Sequence, residues 1–194
     1  MMTIMDRSVL YQINGLEKPQ KISGFLKEKG YSRQNLVDLR KDEQAICLNG
    51  TYVHMNHMIE EGDVLTVWIR ETDNSGQIRP VKLPFVIVYE DEDLLVINKP
   101  AGMPVHPSRG NPENSLGNAL AWYFKEQGFP FVFRCINRLD RDTSGLTIVA
   151  KHAVSAAILG RWCGKSRAGT KSTRDSPDVS CDCGGKGYAG FRCH

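Results

Sequence analysis

The sequence predicts an α+β fold, and three observations lead to this prediction. Two short helical patterns near the N-terminus are followed by three strand patterns, and beyond residue 80 strand patterns occur together with single helical patterns. A polar stretch without periodicity, at 72–77, separates the two regions. We therefore expect one module at 1–72, a linker at 73–80 and a second module at 81–160.

The first module has the predicted order ααβββ. Apolar residues at helical spacing begin at Ile22, and Gly30 can end this helix. Ser32 is a suitable N-cap for a second helix. The Asn49-Gly50 pair between strand-forming residues predicts a hairpin, and the apolar stretch 64–69 predicts the last strand.

The second module is predicted to form a mixed, mainly antiparallel sheet with helices. Apolar stretches at 85–89 and 94–97 flank an acidic turn, which indicates a hairpin whose strands are largely buried. A helix that begins at Asn114 or Ser115 follows. The remaining predicted elements are strands at 131–136 and 146–150 and a short helix at 152–159.

The last part of the chain, 161–194, has a different composition. It contains no Leu, Ile or Met but six glycines and four cysteines. Such a segment buries too little apolar area to offset the entropy lost on ordering its backbone, about 1–2 kcal/mol per residue. We therefore expect no packed element beyond Gly160 and a disordered C-terminal tail.

Charge and hydropathy exclude some classes of protein. No apolar run reaches the roughly 18 residues of a membrane helix, and the N-terminus lacks the apolar core of a secretory signal. We therefore expect a cytoplasmic protein. The net charge is +3, but residues 161–194 alone contribute +4, as 7 basic minus 3 acidic residues. Nucleic-acid binding must therefore be argued from particular side chains in the folded part.

The cysteines fall into two groups. Cys47 and Cys135 lie in apolar surroundings, which is typical of reduced, buried thiols in a cytosolic protein. In the tail, Cys181, Cys183, Cys193 and His194 supply atoms that bind zinc, but the one-residue gap between the first two differs from the usual spacing. We expect no metal site.

The densest cluster of functional residue types is the segment 138–145, between two predicted strands. If the backbone is extended there, Arg138 and Asp140 point the same way, because side chains alternate along a strand. A neighbouring guanidinium keeps a carboxylate ionised at neutral pH, so Asp140 is suited to act as a nucleophile or base. Thr143 and Gly145 suit the turn that follows. The residues alone leave a structural, ion-paired turn and a catalytic site both open.

Two longer motifs carry a resemblance to a known family. Residues 138–151 read RLDRDTSGLTIVAK, and residues 97–107 read INKPAGMPVHP. Both strings, in this order, resemble the signatures of RluA/RluD-type RNA pseudouridine synthases. Asn137 stands where many of these proteins have histidine, a substitution that we expect to be tolerated because the reaction requires no proton transfer by that residue.

The resemblance implies roles for several residues. Asp140 would be the nucleophile that detaches uracil from its ribose, so that the base can rotate and rejoin through carbon. Arg138 would pair with Asp140, and Arg141 would fill the space left by the extruded uridine. Lys99 and Thr143 would contact the substrate, although a solvated loop residue is the alternative for Lys99. The resemblance implies neither a metal nor a cofactor, and for His106 loop packing or solvent exposure is the alternative to catalysis.

Residues 19–70 resemble the S4 RNA-binding domain that often precedes this catalytic domain. The resemblance extends to Ser32-Arg33 at a helix start and to the Asn49-Gly50 hairpin. Phosphate contacts position RNA without reading its sequence. The candidate RNA-binding residues are Lys21, Arg33, Arg40 and Lys41. Each of them alone could also belong to a solvated face, and the charge of 1–72, with 9 basic and 10 acidic residues, is −1.

The resemblance ends near Leu159, whereas complete family members continue for more than a hundred residues. We therefore expect the first part of a catalytic domain, whose sheet leaves an apolar face uncovered, and a frame shift or gene interruption near Gly160. The expected partner is structured RNA, either rRNA or tRNA, and the expected form is a monomer. Three functions remain open: a pseudouridine synthase, an inactive fragment that only binds RNA, and a fragment without function.

Overall fold

A computed structural model describes residues 5–71 and 78–167 of the chain. The fold is α+β, as predicted, with antiparallel pairing between all assigned strands. In chain order the elements are β1 (Met5–Gln12), β2 (Gln20–Lys21), α1 (Ile22–Glu28), α2 (Arg33–Arg40), β3 (Ile46–Leu48), β4 (Thr51–Tyr52), β5 (Met58–Ile59), β6 (Val64–Glu71), β7 (Val86–Glu90), β8 (Leu94–Lys99), α3 (Leu116–Glu126), β9 (Arg134–Cys135), β10 (Gly145–Ala150) and α4 (Ala153–Arg167).

The N-terminal unit, residues 5–71, is built on a four-stranded sheet in the order β1-β6-β3-β4. The predicted helices and the Asn49-Gly50 turn are present, and Asn49 adopts a φ of 49° there. Strand β1 was not predicted. It pairs with β6 from Met5↔Glu71 to Gln12↔Val64, and this distant pairing stabilises a segment whose own sequence pattern is weak.

Local capping determines where the second helix begins. The Ser32 side chain accepts a hydrogen bond from the Asn35 backbone, and the Asn35 side chain accepts one from the Ser32 backbone. This reciprocal capping box satisfies two backbone donors that a helix N-terminus otherwise leaves unpaired. Helices α1 and α2 then pack on the first sheet, with Ile22, Leu26 and Leu39 buried in the first core.

The C-terminal unit, residues 78–167, is built on a second sheet in the order β7-β8-β10-β9. Helix α3 begins after a second capping box, formed by Ser115 and Asn118. The buried face of α3 packs on the sheet and forms a second core. Strand β9 is shorter than predicted because Phe131 and Phe133 precede it as core side chains outside the sheet.

One face of the second sheet is uncovered among the described residues. Val86, Val88 and Leu146 are 60%, 56% and 56% exposed, whereas Ile87, Leu95 and Ile97 on the opposite face contribute to the second core. The predicted uncovered apolar face is therefore confirmed. The prediction that residues 85–89 are largely buried is wrong, because α3 covers only one face and burial alternates along β7.

Helix α4 connects the two cores. It continues to Arg167, so the prediction that no packed element extends beyond Gly160 is wrong. Val154 of α4 is buried in the first core, and Ile158 packs against it. The predicted disordered tail is otherwise outside the described residues, as are its cysteines and His194. No helix in the described ranges is both long and apolar enough to span a bilayer.

Candidate active site

The two motif segments meet at one end of the second sheet. Strands β8 and β10 are antiparallel, and Gly145 at the start of β10 pairs with Lys99 at the end of β8. The loop that follows β8 and the loop that precedes β10 therefore leave the sheet side by side. Asp140 lies in the second of these loops.

Lys99 joins the two loops. Its side chain is fully buried, and Nζ donates hydrogen bonds to the carbonyl oxygens of Pro100 at 2.9 Å, Met103 at 2.7 Å and Arg141 at 3.1 Å. An ammonium group has three protons, so these contacts use all of its donors. Burial lowers the pKa of Lys99, while the negative charges of Asp142 and Asp140 oppose this effect.

This environment bears on both interpretations of Lys99. The alternative that it is a solvated loop residue is wrong, because the loop folds over the side chain and buries it. A contact between Lys99 and the substrate stays a prediction. It would require the ammonium group to exchange one of its three carbonyl partners for a phosphate oxygen.

Asp140 and Arg138 are both exposed, and no ion pair joins them within the described ranges. The predicted pairing is wrong in this structure because β9 ends at Cys135 and the chain bends at residues 136–137. The alternation of an extended strand therefore does not reach Asp140. Instead, the Asp140 carbonyl accepts a hydrogen bond from the Thr143 backbone at 3.2 Å, which closes a turn and leaves the carboxylate outside it.

Asn137 fixes the start of this loop, a role that sequence reasoning missed. Its Nδ2 donates to the Leu146 carbonyl at 2.9 Å, and its Oδ1 accepts from the Ile148 backbone N–H at 2.8 Å. One side-chain amide thus occupies two backbone groups of β10. The only sequence signal is that an amide can donate and accept together.

Cys135 precedes this bend and supports it. Burial raises the pKa of the thiol to about 11, and Sγ lies 2.9 Å from the carbonyl oxygen of Asn137, to which it can donate. The thiol is therefore neutral and half-buried, in agreement with the interpretation of Cys135 as a reduced cysteine.

His106 lies in the first loop, where its ring contacts Phe133. The two ring centroids are 4.8 Å apart in an edge-to-face arrangement. Burial lowers the pKa of His106, and the nearby positive charge of Arg138 lowers it further. His106 is nevertheless exposed, so the structure agrees with the alternatives of loop packing and solvent exposure.

Arg141 and Thr143 are exposed beside Asp140. The Arg141 Nε lies 3.6 Å from Oδ1 of Asp142, and both side chains are largely open to solvent. A contact of this kind between exposed groups contributes little to stability. The Arg141 side chain is therefore free to take other positions, while its backbone carbonyl is held by Lys99.

The four predicted RNA-binding residues of the N-terminal unit are all exposed. Lys21 precedes α1, Arg33 begins α2, and Arg40 ends it. Lys41 follows α2 and pairs with Asp38 at 2.8 Å. Arg33 and Arg40 are thus separated by the length of α2, roughly 10 Å, so these cations are spread over the surface.

Across residues 5–71 and 78–167, no three or more His, Cys, Asp or Glu side chains are grouped so that they could hold a metal ion.

Comparisons with known proteins support the family resemblance that the two motifs carry. Residues 93–169 match the family described as RNA pseudouridylate synthase. Two Bacillus subtilis proteins, the uncharacterized RNA pseudouridine synthases YjbO and YlyB, are 34% and 38% identical over 71% and 74% of this chain. The ribosomal large subunit pseudouridine synthase D of Escherichia coli is 43% identical over 62% of the chain.

These matches support the predicted resemblance to RluA/RluD-type RNA pseudouridine synthases. The chain spans 49%, 48% and 37% of the lengths of the three relatives above. The matched stretch ends at residue 169, so the prediction that the resemblance stops near Leu159 is wrong.

Proposed function

We propose that this chain takes part in the isomerisation of uridine to pseudouridine in structured RNA, either rRNA or tRNA, with Asp140 as the nucleophile. The observation that carries the proposal is the anchored loop around Asp140. Lys99 ties this loop to the other family motif, while the Asp140 carboxylate has no hydrogen bond or ion pair among the described residues. An unoccupied carboxylate on a fixed loop is available to a substrate.

The proposed reaction is balanced within the nucleotide itself. A carboxylate oxygen of Asp140 forms a covalent bond with the substrate, and the bond between uracil N1 and the ribose breaks. The base rotates, a carbon–carbon bond forms to the ribose, and the carboxylate leaves. A proton moves from the carbon that joins the ribose to the nitrogen that is released. Attack on the sugar and attack on the base both fit this scheme.

The exposed arginines have proposed roles in admitting the target uridine. A base inside a stacked RNA helix cannot reach a carboxylate on the protein, so it must rotate out of the stack. Arg141 is proposed to fill the vacancy with its planar guanidinium. Arg138 is proposed to contact a phosphate of the bound RNA, and Thr143 to contact the target nucleotide.

The N-terminal unit is proposed to be an S4-like RNA-binding domain. Its helices α1 and α2 precede strands β3, β4 and β6, in agreement with the ααβββ pattern. Lys21, Arg33, Arg40 and Lys41 are proposed to contact phosphates. Because such contacts release counterions, binding should weaken as salt concentration rises.

A chain that binds RNA without catalysis is the second candidate. One observation favours it: the Asp140 side chain is open to solvent. A site that does not enclose its nucleophile binds an extruded base weakly, because water competes for every contact with the base.

One experiment separates the two candidates. The purified chain is incubated with uridine-containing rRNA and tRNA, and pseudouridine is scored in the product. Asp140→Asn should abolish product formation, while Asp142→Asn, a change of the same kind two residues away, should retain it. Salt-sensitive RNA binding without product from the unaltered chain would favour the second candidate, and equal activity of both variants would refute Asp140 as the nucleophile.

A further inference from the structure

A cluster of charged and polar side chains joins the two units at the end of the second sheet opposite Asp140. Asp93 lies in the turn before β8, and its Oδ1 accepts a hydrogen bond from Nε of Arg7, on β1, at 3.1 Å. The Nη1 of Arg7 lies 2.6 Å from Oε2 of the neighbouring Glu92. One arginine of the first sheet therefore pairs with two carboxylates of the second.

His152 completes this cluster from the start of α4. Its ring is buried, and Nδ1 accepts a hydrogen bond from the Ser155 backbone N–H at 3.1 Å. An imidazole nitrogen that accepts carries no proton, so the proton is on Nε2. The Nε2 donates to Oδ1 of Asp93 at 2.8 Å. The Asp93 carboxylate thus receives hydrogen bonds from both β1 and the residue that precedes α4.

Apolar packing by α4 supports the same contact. Val154 is buried in the first core, and Ile158 packs so closely on Gly30 that a Cβ at that position would lie 3.0 Å from Ile158 Cγ1. The Nη1 of Arg161 donates to the Lys27 carbonyl at the end of α1, at 3.3 Å. The contact between the units therefore combines apolar burial with directional polar contacts.

We propose that Arg7, Asp93 and His152 are positioning residues that fix the N-terminal unit on the C-terminal unit, so that the chain binds RNA as one rigid body. This inference rests on the proposed function, because it assigns the fixed geometry to RNA recognition. The ligand is a folded RNA long enough to contact both the N-terminal unit and the Asp140 loop.

The geometry connects this cluster to the candidate active site through two strands. The backbone N–H of Lys151 donates to the Asp93 carbonyl at 2.9 Å, and Ala150 pairs with Leu94 at the same end of the sheet. The other end of this strand pair carries Lys99 and Gly145. The six steps from Asp93 to Lys99 span roughly 20 Å. The N-terminal unit is therefore held at a set distance from Asp140.

Fixing the units increases affinity only for RNA that reaches both. When one contact forms, the second becomes intramolecular, and its effective concentration depends on how well the geometry matches the span. A freely moving unit distributes itself over many orientations and lowers this concentration. A short RNA that contacts one unit gains nothing from the docking.

The docking is tested first by calorimetry on the full chain. The unaltered protein should unfold in one transition that includes both units. Arg7→Met combined with Ile158→Ser should separate this into two transitions, since it removes a polar and an apolar contact between the units. Arg70→Met is the matched control, because Arg70 pairs with Asp42 inside the N-terminal unit. The control should keep one transition at a lower temperature.

The role of the docking in RNA recognition is tested by measuring the affinity for RNA hairpins of increasing length by fluorescence anisotropy. The double variant should bind long hairpins at least about tenfold more weakly than the unaltered chain, bind the shortest ones equally, and raise KM without changing kcat if product forms. The Arg70→Met control should bind hairpins of every length as tightly as the unaltered chain does.

Two unfolding transitions in the unaltered chain, or one in the double variant, would overturn the docking. An equal loss at every RNA length would overturn its role in recognition. Absence of pseudouridine alone would contradict only the proposed isomerisation.

Discussion

The Nζ of Lys99 lies 3.1 Å from the carbonyl oxygen of Arg141, across the gap between the two loops that carry the family motifs. Arg141 directly follows Asp140 in the chain, so this contact fixes the backbone one residue from the proposed nucleophile. The same ammonium group also holds the carbonyls of Pro100 and Met103 in the other loop. A buried cation thus determines how the two motif loops are placed relative to each other.

Replacing Lys99 should therefore destabilise the C-terminal unit. Lys99→Met keeps the approximate length of the side chain but leaves three carbonyl groups without their donor. Each hydrogen bond to a charged group contributes about 1.5–3 kcal/mol to stability. Because burying the ammonium group itself costs free energy, we expect a net loss of about 2 kcal/mol in the free energy of unfolding. Urea denaturation measures this loss. Lys41→Met, at an exposed position, should change stability by less than about 0.5 kcal/mol.

Stability should also depend on pH through Asp93. Burial alone would raise the pKa of this carboxyl, but hydrogen bonds from His152 and Arg7 and the charge of Arg7 outweigh burial and lower the pKa to about 2. Because the pKa in the folded state lies below that in the unfolded state, about 3.9, the contribution is complete above about pH 4. It is lost as pH falls toward about 2.

The size of this effect is limited by solvent. The Asp93 side chain is 40% exposed, so screening reduces its contribution to about 1 kcal/mol. Asp93→Asn should remove this part of the pH dependence, and denaturation between pH 5 and pH 2 compares the two proteins. Glu43→Gln serves as a control at an exposed carboxylate of the N-terminal unit. An unchanged acid profile in Asp93→Asn would contradict the assignment.

The helices were predictable from sequence because their determinants are local. Ser32 and Ser115 cap α2 and α3 as the sequence indicates, and apolar residues at helical spacing face the cores. Strand β1 was not predictable in this way. Strand β1 depends on pairing with β6, which lies far along the chain. In addition, the exposed Leu10 interrupts the alternation of apolar and polar residues that would indicate a strand.

The candidate site was predictable only in part. The motifs indicated Asp140, but the Arg138–Asp140 pairing assumed that a strand continues through residue 140, and the bend after Cys135 prevents this. Nothing in the sequence near Lys99 indicates that its ammonium group is buried, because the carbonyl groups that accept its hydrogen bonds belong to two different loops. Backbone acceptors of this kind have no side-chain signature.

Asn137 offers a test of how the Asp140 loop is held. Asn137→Ala removes the hydrogen bonds to Leu146 and Ile148, and we expect a loss of about 1–2 kcal/mol in the free energy of unfolding. Hydrogen exchange at the Ile148 amide should accelerate by more than the global change requires, because that amide loses its partner directly. Asn137→Asp retains the acceptor and should protect Ile148 better than Asn137→Ala. Equal exchange in both variants would contradict the assigned contact.

The uncovered face of the second sheet should determine the solubility of this chain. Val88 and Leu146 are both 56% exposed on the two strands that flank β8, and apolar side chains exposed on one face of a sheet favour association between molecules. Val88→Thr combined with Leu146→Lys should lower light scattering at high protein concentration, while the free energy of unfolding changes by less than about 0.5 kcal/mol. Light scattering across a concentration series and urea denaturation measure the two quantities. Leu10→Lys, at a position 55% exposed on the first sheet, is the matched control and should have the smaller effect. An equal reduction of scattering by Leu10→Lys would indicate that exposed apolar residues act singly rather than as a face.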